Sequence, residues 1–228
     1  MKIPEIIFED NHIIAVNKPF GMPAQGDETG DLNVFDWTKS YIREKYQKPG
    51  NVYVGLLHRI DRPTGGLMIL AKTSKAASRL SDDFQRSKIR KTYYCITEKA
   101  PSPEQGSLFH YLAKLPDKNI VKAYQKPAFG AKAAELTYEI LDNQSPRCLV
   151  KVHPITGRQH QIRVQMAAIG CVICGDVKYG KTDFLPDKCI ALFAKEIEIM
   201  HPVKKEKLIL SAPTPDVHLW EYFQKQGF

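Results

Sequence analysis

Short apolar runs and alternating hydrophobic positions recur along this chain, and they predict more strands than helices. Residues 6–10 and 13–16 have the composition of two short strands joined by a polar turn. Residues 67–71 are continuously apolar, which is typical of a strand buried on both faces. Further strands are predicted at residues 92–96, 106–111, 132–141, 147–152, 190–200 and 208–210.

Helical spacing of apolar residues is found in fewer segments. Many strands and few helices, without a strict β–α alternation, predict an α+β fold with a mixed, mostly antiparallel sheet and flanking helices. No repeat or linker divides the chain, so residues 1–228 are expected to form a single domain. The first predicted helix covers residues 34–46, and the last covers residues 220–224. A second helix is capped by Thr73 or Ser74 and has Ala77, Leu80, Ser81 and Phe84 on its apolar face. A third helix starts near Arg158 or His160.

The charge balance favours a polyanionic partner. The 228 residues carry a formal net charge of +8 with a pI of about 9.1, and neutralisation of phosphates drives binding to such a partner. No apolar run approaches the roughly 20 residues that cross a bilayer, so no membrane partner is expected. The first residues lack the apolar core and cleavage site of a secretory signal, so we expect a cytoplasmic protein and, as its simplest state, a monomer.

The five cysteines predict neither disulfides nor a metal site. Their number is odd, and a cytoplasmic location disfavours a disulfide framework. Cys171 and Cys174 form a C-x-x-C motif, but zinc would require a second pair of ligands at suitable spacing. We therefore expect buried free thiols. Phosphate-binding and dinucleotide-binding glycine motifs are also missing from the sequence, so no cofactor is expected.

One carboxylate occupies an unusual position in the sequence. Asp61 lies between Arg59 and Arg62, directly before a buried strand, in the segment His-Arg-Ile-Asp-Arg-Pro-Thr-Gly-Gly-Leu at residues 58–67. Nearby guanidinium groups favour an ionised carboxylate, which can act as a nucleophile or a base. The proline and the two glycines predict a tight turn that another backbone can approach closely. A structural aspartate in a turn is the alternative interpretation.

A second polar segment, residues 156–163, is dense in hydrogen-bond donors. Arg158 and Arg163 could bind phosphate, or one of them could pair with a buried carboxylate. A solvated basic face at the start of a helix is the alternative, and His160 and Gln161 by themselves are no better than structural hydrogen-bonding residues.

A third segment, residues 90–94, carries adjacent tyrosines in a predicted strand. Tyr93 and Tyr94 must point to opposite faces of the strand. One ring could pack in the core while the other stacks on an extruded base, as aromatic side chains do in RNA recognition. Packing of both rings is the commoner outcome.

These segments resemble the RluA-type RNA pseudouridine synthases. The residues at 58–67 look like the signature of that family, and matching motifs follow in the family's order over nearly the whole chain. Several ordered motifs are far more specific than one. The matches are Asn17-Lys18-Pro19-Phe20-Gly21, Lys91-Thr92-Tyr93, residues 156–163, Gly175-Asp176-Val177-Lys178-Tyr179-Gly180 and His201-Pro202.

The resemblance implies a role for each matching position. Asp61 matches the catalytic aspartate, which attacks the target nucleoside so that uracil is released, turned and rejoined through carbon. Tyr93 matches the tyrosine that stacks on the base, and Arg163 matches the basic partner of the aspartate, although Arg158 stays an alternative. It also implies a central cleft, a flipped uridine and no cofactor or metal. Residues expected to contact the tRNA or rRNA substrate are Lys18, Arg59, Arg62, Arg158, His160, Gln161 and Leu192.

The chain also departs from the family pattern. Its motifs begin by Asn17, so we expect a compact form without the S4-type RNA-binding domain of many relatives. Gly65 stands where a serine is frequent, and Phe193 interrupts a common Leu-His-Ala pattern. The rival hypotheses are a non-catalytic RNA-binding protein on the same scaffold and an N-glycoside hydrolase that releases free base.

Overall fold

The structure is a computed structural model, and it describes residues 2–116, 118–180, 183, 185–186, 189–215 and 219–224. The chain is organised as two compact units. The first contains residues 1–89 and 194–213, and the second contains residues 90–193 and 214–228. The prediction of one catalytic domain stays a prediction, and each unit is described by itself below.

The first unit is built on a buried strand. Its β4 (Gly65–Ala71) is completely buried, as the continuous apolar run predicted. It pairs antiparallel with β2 (Ile13–Lys18) and with the two-residue β3 (Gly55–Leu56). The remaining strands are β1 (Glu5–Glu9), antiparallel to β2, and two antiparallel partners, β10 (Leu192–Met200, in this unit from Ala194) and β11 (Lys207–Ser211).

Two capped helices complete this unit. Helix α1 (Val34–Lys45) begins where the Asn33 side chain accepts a hydrogen bond from the backbone of Asp36 at 3.0 Å. Helix α2 (Ser74–Gln85) is capped by Thr73, one of the two predicted caps. Its buried face differs from the prediction, because Ala76 and Leu80 are fully buried while Ala77 is half-buried. The missing side chain of Gly55 makes room for Ala77, since a Cβ there would lie 2.9 Å from the Ala77 methyl.

The second unit is a sheet of five antiparallel strands. Its order is β5–β9–β8–β6–β7. Three residues of this sheet, Leu112, Val121 and Ala134, form a small buried apolar cluster with Val164. The strands are β5 (Arg90–Thr97), β6 (Gln105–Lys114), β7 (Val121–Tyr124), β8 (Lys132–Gln144) and β9 (Arg147–Pro154).

Helix α3 (Gln161–Ala168) follows the second polar segment. Its N-cap is His160, in the left-handed backbone conformation at φ 52°, and this agrees with the predicted start. Residues from Gln161 to Met166 are all buried, so this stretch does not form the solvated basic face that was the alternative interpretation of the segment. The short α4 (Leu219–Gln224) matches the predicted terminal helix.

Most elements agree with the sequence prediction. The α+β class and the mostly antiparallel sheet are confirmed, and all five cysteines are buried free thiols as expected. Strand β7 was not predicted, because its four residues have little periodicity and gain their structure from pairing with β6. Within the described residues, no helix has the length and apolar character needed to cross a membrane.

Candidate active site

The Asp61 turn is fixed through its main chain. The carbonyl of Asp61 accepts a hydrogen bond from the amide of Thr64 at 3.0 Å, which closes the turn before β4. At the start of the segment, Nε2 of His58 accepts a hydrogen bond from the amide of Ile69 at 3.0 Å, and the His58 ring stacks on Phe84. The Asp61 side chain itself is half-buried. These contacts fix the main chain that carries the carboxylate.

Lys18 joins this turn to the Asn17–Gly21 motif. Its side chain is 1% exposed, and its ammonium donates to the carbonyls of Pro19 at 3.1 Å, Met22 at 2.7 Å and Arg62 at 3.1 Å. Burial lowers the pKa of Lys18 to about 7, against the opposing effect of the Asp61 charge. We predicted that Lys18 binds substrate. Its contacts favour another role, in which it positions the loop that carries Asp61.

Arg62 is bound by an acidic loop that contains Asp27 and Asp31. Its guanidinium donates to the carbonyl of Gly21 at 3.0 Å and forms ion pairs with Asp27 and Asp31. Hydrogen bonds from Arg62 and Thr29 lower the pKa of the Asp31 carboxyl. The Arg62 side chain is 42% exposed, so these pairs are solvated and weak. Binding of RNA by Arg62 would require a phosphate to compete with two carboxylates.

Arg59 is the other predicted arginine of this segment. It is exposed, and among the described residues it takes part in no hydrogen bond or ion pair. Exposure of this kind is compatible with binding a phosphate, and its assignment to substrate binding stays a prediction.

The two glycines after the turn are required for different reasons. Gly66 has φ +110°, and a Cβ there would lie 2.3 Å from the carbonyl oxygen of Ala194. This is the close backbone approach that the sequence predicted. At Gly65 a Cβ would lie 2.9–3.0 Å from the ring of Phe20, so this position is restricted by a side chain. A serine at position 65 would displace the Phe20 ring.

Arg163, on α3 in the second unit, makes a buried bidentate ion pair. Its Nε and Nη2 donate to the two carboxylate oxygens of Asp176 at 2.7 and 2.8 Å, and the side chains are 5% and 1% exposed. The Arg163 guanidinium also lies 5.2 Å from the centre of the Tyr179 ring. Asp176 binds the guanidinium along the edge formed by Nε and Nη2. Arg163 is thus a fixed, buried cation.

Tyr179 connects this pair to the start of α3. Its hydroxyl lies 2.5 Å from Nδ1 of His160 and accepts a hydrogen bond from the amide of Val121 at 3.0 Å. Gln161 is 4% exposed and bonds to the side chain of Thr156, the amide of Arg158 and the carbonyl of Glu135. These contacts favour the structural alternative for His160 and Gln161 over substrate binding.

The two candidate arginines differ in environment. Arg158 is exposed, and its Nε donates to the carbonyl of Ala133 at 2.9 Å. Arg163 is 4% exposed and lies on α3, in which residues from Gln161 to Met166 are buried. A charge in the interior acts at low dielectric, where its effect on a carboxylate is stronger. Arg163 is thus a buried cation and Arg158 an exposed one, and which of them pairs with Asp61 stays a prediction.

Tyr93 and Leu192 also belong to the second unit. Tyr93 is half-buried on β5, opposite Val152 of β9, and Tyr94 points to the other face. Leu192 is 4% exposed at the first residue of β10. The neighbouring Phe193, which departs from the family pattern, packs edge-on against Trp220 of α4 at 6.0 Å between ring centres. The substitution at position 193 is thus accommodated by an aromatic neighbour.

Sequence reasoning missed Asp176 and Tyr179 as parts of the site. Both lie in the Gly175–Gly180 motif that carried the resemblance, but no role was assigned to them. The signal was available in principle, because a carboxylate in an apolar segment needs a cationic partner. Among the described residues no group of three or more His, Cys, Asp or Glu side chains is arranged to hold a metal ion.

Comparison with known proteins identifies similar sequences across most of the chain. Residues 12–168 match the family described as RNA pseudouridylate synthase. The ribosomal large subunit pseudouridine synthase C of Rickettsia bellii (strain RML369-C) is 32% identical over 212 residues, covering 92% of this chain and 68% of the relative. A dual-specificity RNA pseudouridine synthase RluA of Vibrio vulnificus (strain CMCP6) is 30% identical, covering 87% of this chain and 78% of the relative.

Solved structures share the fold. Human RNA pseudouridylate synthase domain containing 4 superposes with a TM-score of 0.78 at 23% identity, covering 92% of this chain and 88% of that protein. Human RNA pseudouridylate synthase domain containing 1 superposes with a TM-score of 0.73 at 20% identity, covering 94% and 85%. At these identities the likeness concerns the fold.

Proposed function

Because this chain belongs to the RNA pseudouridylate synthase family, whose members isomerise uridines of RNA, we propose that Asp61 is its catalytic nucleophile. The observation that carries this proposal is the Asp61 turn, in which backbone bonds and the buried Lys18 fix the loop while the carboxylate remains half-buried. A half-buried carboxylate on a fixed loop is accessible to a substrate and is held in position for attack.

The reaction is an isomerisation that needs no net redox change. Asp61 attacks C1′ of the target uridine and the N1–C1′ bond breaks. The uracil then turns, and its C5 bonds to C1′ as the bond between C1′ and Asp61 breaks, while N1 takes up a proton. The proton on C5 is lost to solvent. The target base must leave its stack to reach the carboxylate, at a cost of a few kcal/mol. Phosphate contacts to a protein of net charge +8 offset that cost.

We assign Arg163 the role of stabilising the ionised Asp61 and Tyr93 the role of stacking on the base. The bidentate bond to Asp176 supports the first assignment, because it holds the buried guanidinium in one orientation. The half-buried ring of Tyr93 supports the second, and Leu192 would supply apolar surface beside it.

The proposed substrate is structured tRNA, large-subunit rRNA, or both. Relatives are named for the large ribosomal subunit and for dual specificity, and this supports an RNA of one of these classes. Arg59, Arg62 and Arg158 are the exposed arginines assigned to phosphate contacts. The proposal includes a cytoplasmic monomer that works without a metal or cofactor.

The test is release of tritium from RNA labelled at C5 of uridine. Bulk tRNA and rRNA from a strain lacking the gene serve as substrates, and the products are digested to identify pseudouridine. We expect tritium release matched one-to-one by pseudouridine, with no free uracil. Mapping of pseudouridines in total RNA from the same strain then identifies the target uridine.

Two outcomes would contradict the proposal. Free uracil in proportion to turnover would identify an N-glycoside hydrolase. Tight binding of RNA with no tritium released from any RNA class would identify a non-catalytic binding protein.

A further inference from the structure

Lys91 stands beside the proposed stacking residue. It lies two residues before Tyr93 on β5, so both side chains point to the same face of the strand. The backbone of Lys91 is fixed, because its carbonyl lies 3.2 Å from Nδ1 of His153. The side chain is half-buried, and the mechanism above gives it no role.

The ammonium of Lys91 has no counter-ion in the part of the chain that the structure describes. No hydrogen bond or ion pair of its Nζ is found there, although other buried lysines are satisfied. Lys18 donates to three carbonyls, and Lys195 donates to the carbonyl of Ala212 at 2.7 Å. Burial lowers the pKa of Lys91, and no neighbouring carboxylate offsets this effect. A desolvated cation without a partner reduces stability, which is typical of functional sites.

Gly157 faces this ammonium from the segment before α3. A Cβ at Gly157 would lie 3.7 Å from Nζ of Lys91, and no other atom is within 4 Å of it. The backbone of Gly157 is not in the left-handed region, so neither conformation nor internal packing requires a glycine here. A remaining reason for a glycine at this position is that it permits close approach of a ligand to the main chain.

The amide of Gly157 is a second donor without an acceptor among the described residues. The adjacent amides of Thr156 and Arg158 donate to the carbonyl of Glu135 and to Oε1 of Gln161, whereas the amide of Gly157 donates to neither. Gly157 is exposed, so a ligand can reach it from solvent. An ammonium and a main-chain amide close together match the oxygens of a phosphate.

We propose that Lys91 and the amide of Gly157 form a phosphate subsite that binds one backbone phosphate of the RNA, next to the uridine stacked on Tyr93. This inference rests on the proposed function for the identity of the ligand. The contact makes Lys91 a positioning residue: it sets where the target nucleotide lies relative to the stacking ring. The phosphate supplies the charge that Lys91 lacks in the protein alone.

The test compares Lys91→Gln with Lys99→Gln, which removes one positive charge from an exposed position of the same unit. RNA binding is measured against KCl concentration with bulk tRNA and rRNA, and kcat and KM are measured by tritium release. For Lys91→Gln we expect a KM about tenfold higher, kcat within about twofold, and a salt slope smaller by about 0.7–0.9. The control should change KM by less than about twofold.

A second variant, Gly157→Ala, probes the same subsite without changing charge. The added methyl has room in the protein but occupies the space in front of the ammonium, so we expect a raised KM and an unchanged melting temperature. Lys91→Gln should also retain its melting temperature or raise it, because the variant no longer buries an unpaired charge.

Three results would overturn the subsite. They are equal salt slopes for Lys91→Gln and the wild type, equal effects of Lys91→Gln and Lys99→Gln, or a parallel loss of stability and activity in Lys91→Gln. The salt slopes are obtained from binding alone, so they judge the subsite even if the wild type releases no tritium, an outcome that would refute the proposed function instead.

Discussion

The Asp61 turn and the Arg163 helix hold their key charges in opposite ways. At the turn, the main chain is fixed by amides and by the ammonium of Lys18, and the acidic side chain is half-buried. On α3, the side chain itself is fixed, because both oxygens of Asp176 bind the guanidinium of Arg163 in a buried pair. The loop that carries one charge is fixed by backbone contacts, and the other charge is fixed by a buried counter-ion.

This difference predicts which substitutions reduce the reaction rate alone and which also reduce the stability of the fold. The Asp61 carboxylate is half-buried, so its replacement should cost less free energy than the loss of a fully buried partner. Removal of one partner of a buried ion pair leaves the other desolvated and unpaired, at a cost of about 3–5 kcal/mol. Substitutions at Asp61 should therefore lower the reaction rate, and substitutions at the Arg163–Asp176 pair should lower the stability of the protein as well.

The largest expected effect is on the rate of Asp61→Asn. Loss of the nucleophile should lower kcat by at least about 10³-fold, because covalent catalysis is removed. RNA affinity should change little, because it depends on phosphate and base contacts, and the isosteric side chain should keep the melting temperature close to that of the wild type. Tritium release, filter binding and thermal unfolding measure these quantities, and full activity in this variant would refute the assignment.

The second-largest expected effect is a loss of stability in Asp176→Asn, because this substitution leaves Arg163 without its buried anion. We expect the free energy of unfolding to fall by about 3–5 kcal/mol, together with a loss of activity. Urea denaturation measures the change. The matched control is Glu139→Gln, because Glu139 pairs with Lys151 near the surface and such pairs contribute about 1 kcal/mol or less. Equal effects of the two substitutions would contradict the contrast drawn above.

Lys18→Met tests how the turn is anchored. Between pH 7 and about 10.5 the unfolded state binds more protons at Lys18 than the native state, because burial lowers the native pKa to about 7. The stability of the wild type should therefore rise with pH in this window, by up to about 1.4 kcal/mol per unit, relative to the variant. Below pH 7 both states are protonated and the difference should be constant.

Urea denaturation of both proteins across pH 6–10 measures this dependence. A stability difference between wild type and Lys18→Met that stays constant above pH 7 would show that Lys18 is not desolvated in the native state.

The smallest expected effect is that of Tyr93→Phe. The stacking ring is retained, so we expect activity within about tenfold of the wild type and a change in stability below about 1 kcal/mol. Tyr94→Phe, on the opposite face of β5, is the control. A loss of activity as large as that of Asp61→Asn would show that the Tyr93 hydroxyl takes part in proton transfer.

Local pattern accounts for much of what the sequence predicted correctly. The apolar run of β4, the Thr73 cap and the terminal helix depend on neighbours in the chain, so periodicity and capping residues were enough to identify them. Strand β7 depends on a non-local neighbour, β6, and was not predicted. Ala77 was placed on the apolar face of α2, but it is only half-buried, whereas Ala76 is fully buried. The same distinction applies within the candidate site.

The sequence by itself determined the α+β class, the family and the Asp61 motif, because these are carried by contiguous residues in a recognisable order. Only the tertiary structure decided which charges are satisfied. Lys18 is buried against carbonyls, Arg163 is bound to Asp176, and Lys91 is desolvated without a partner among the described residues. The physical reason is that the free energy of a charge depends on the groups folded around it, and sequence spacing does not specify those groups.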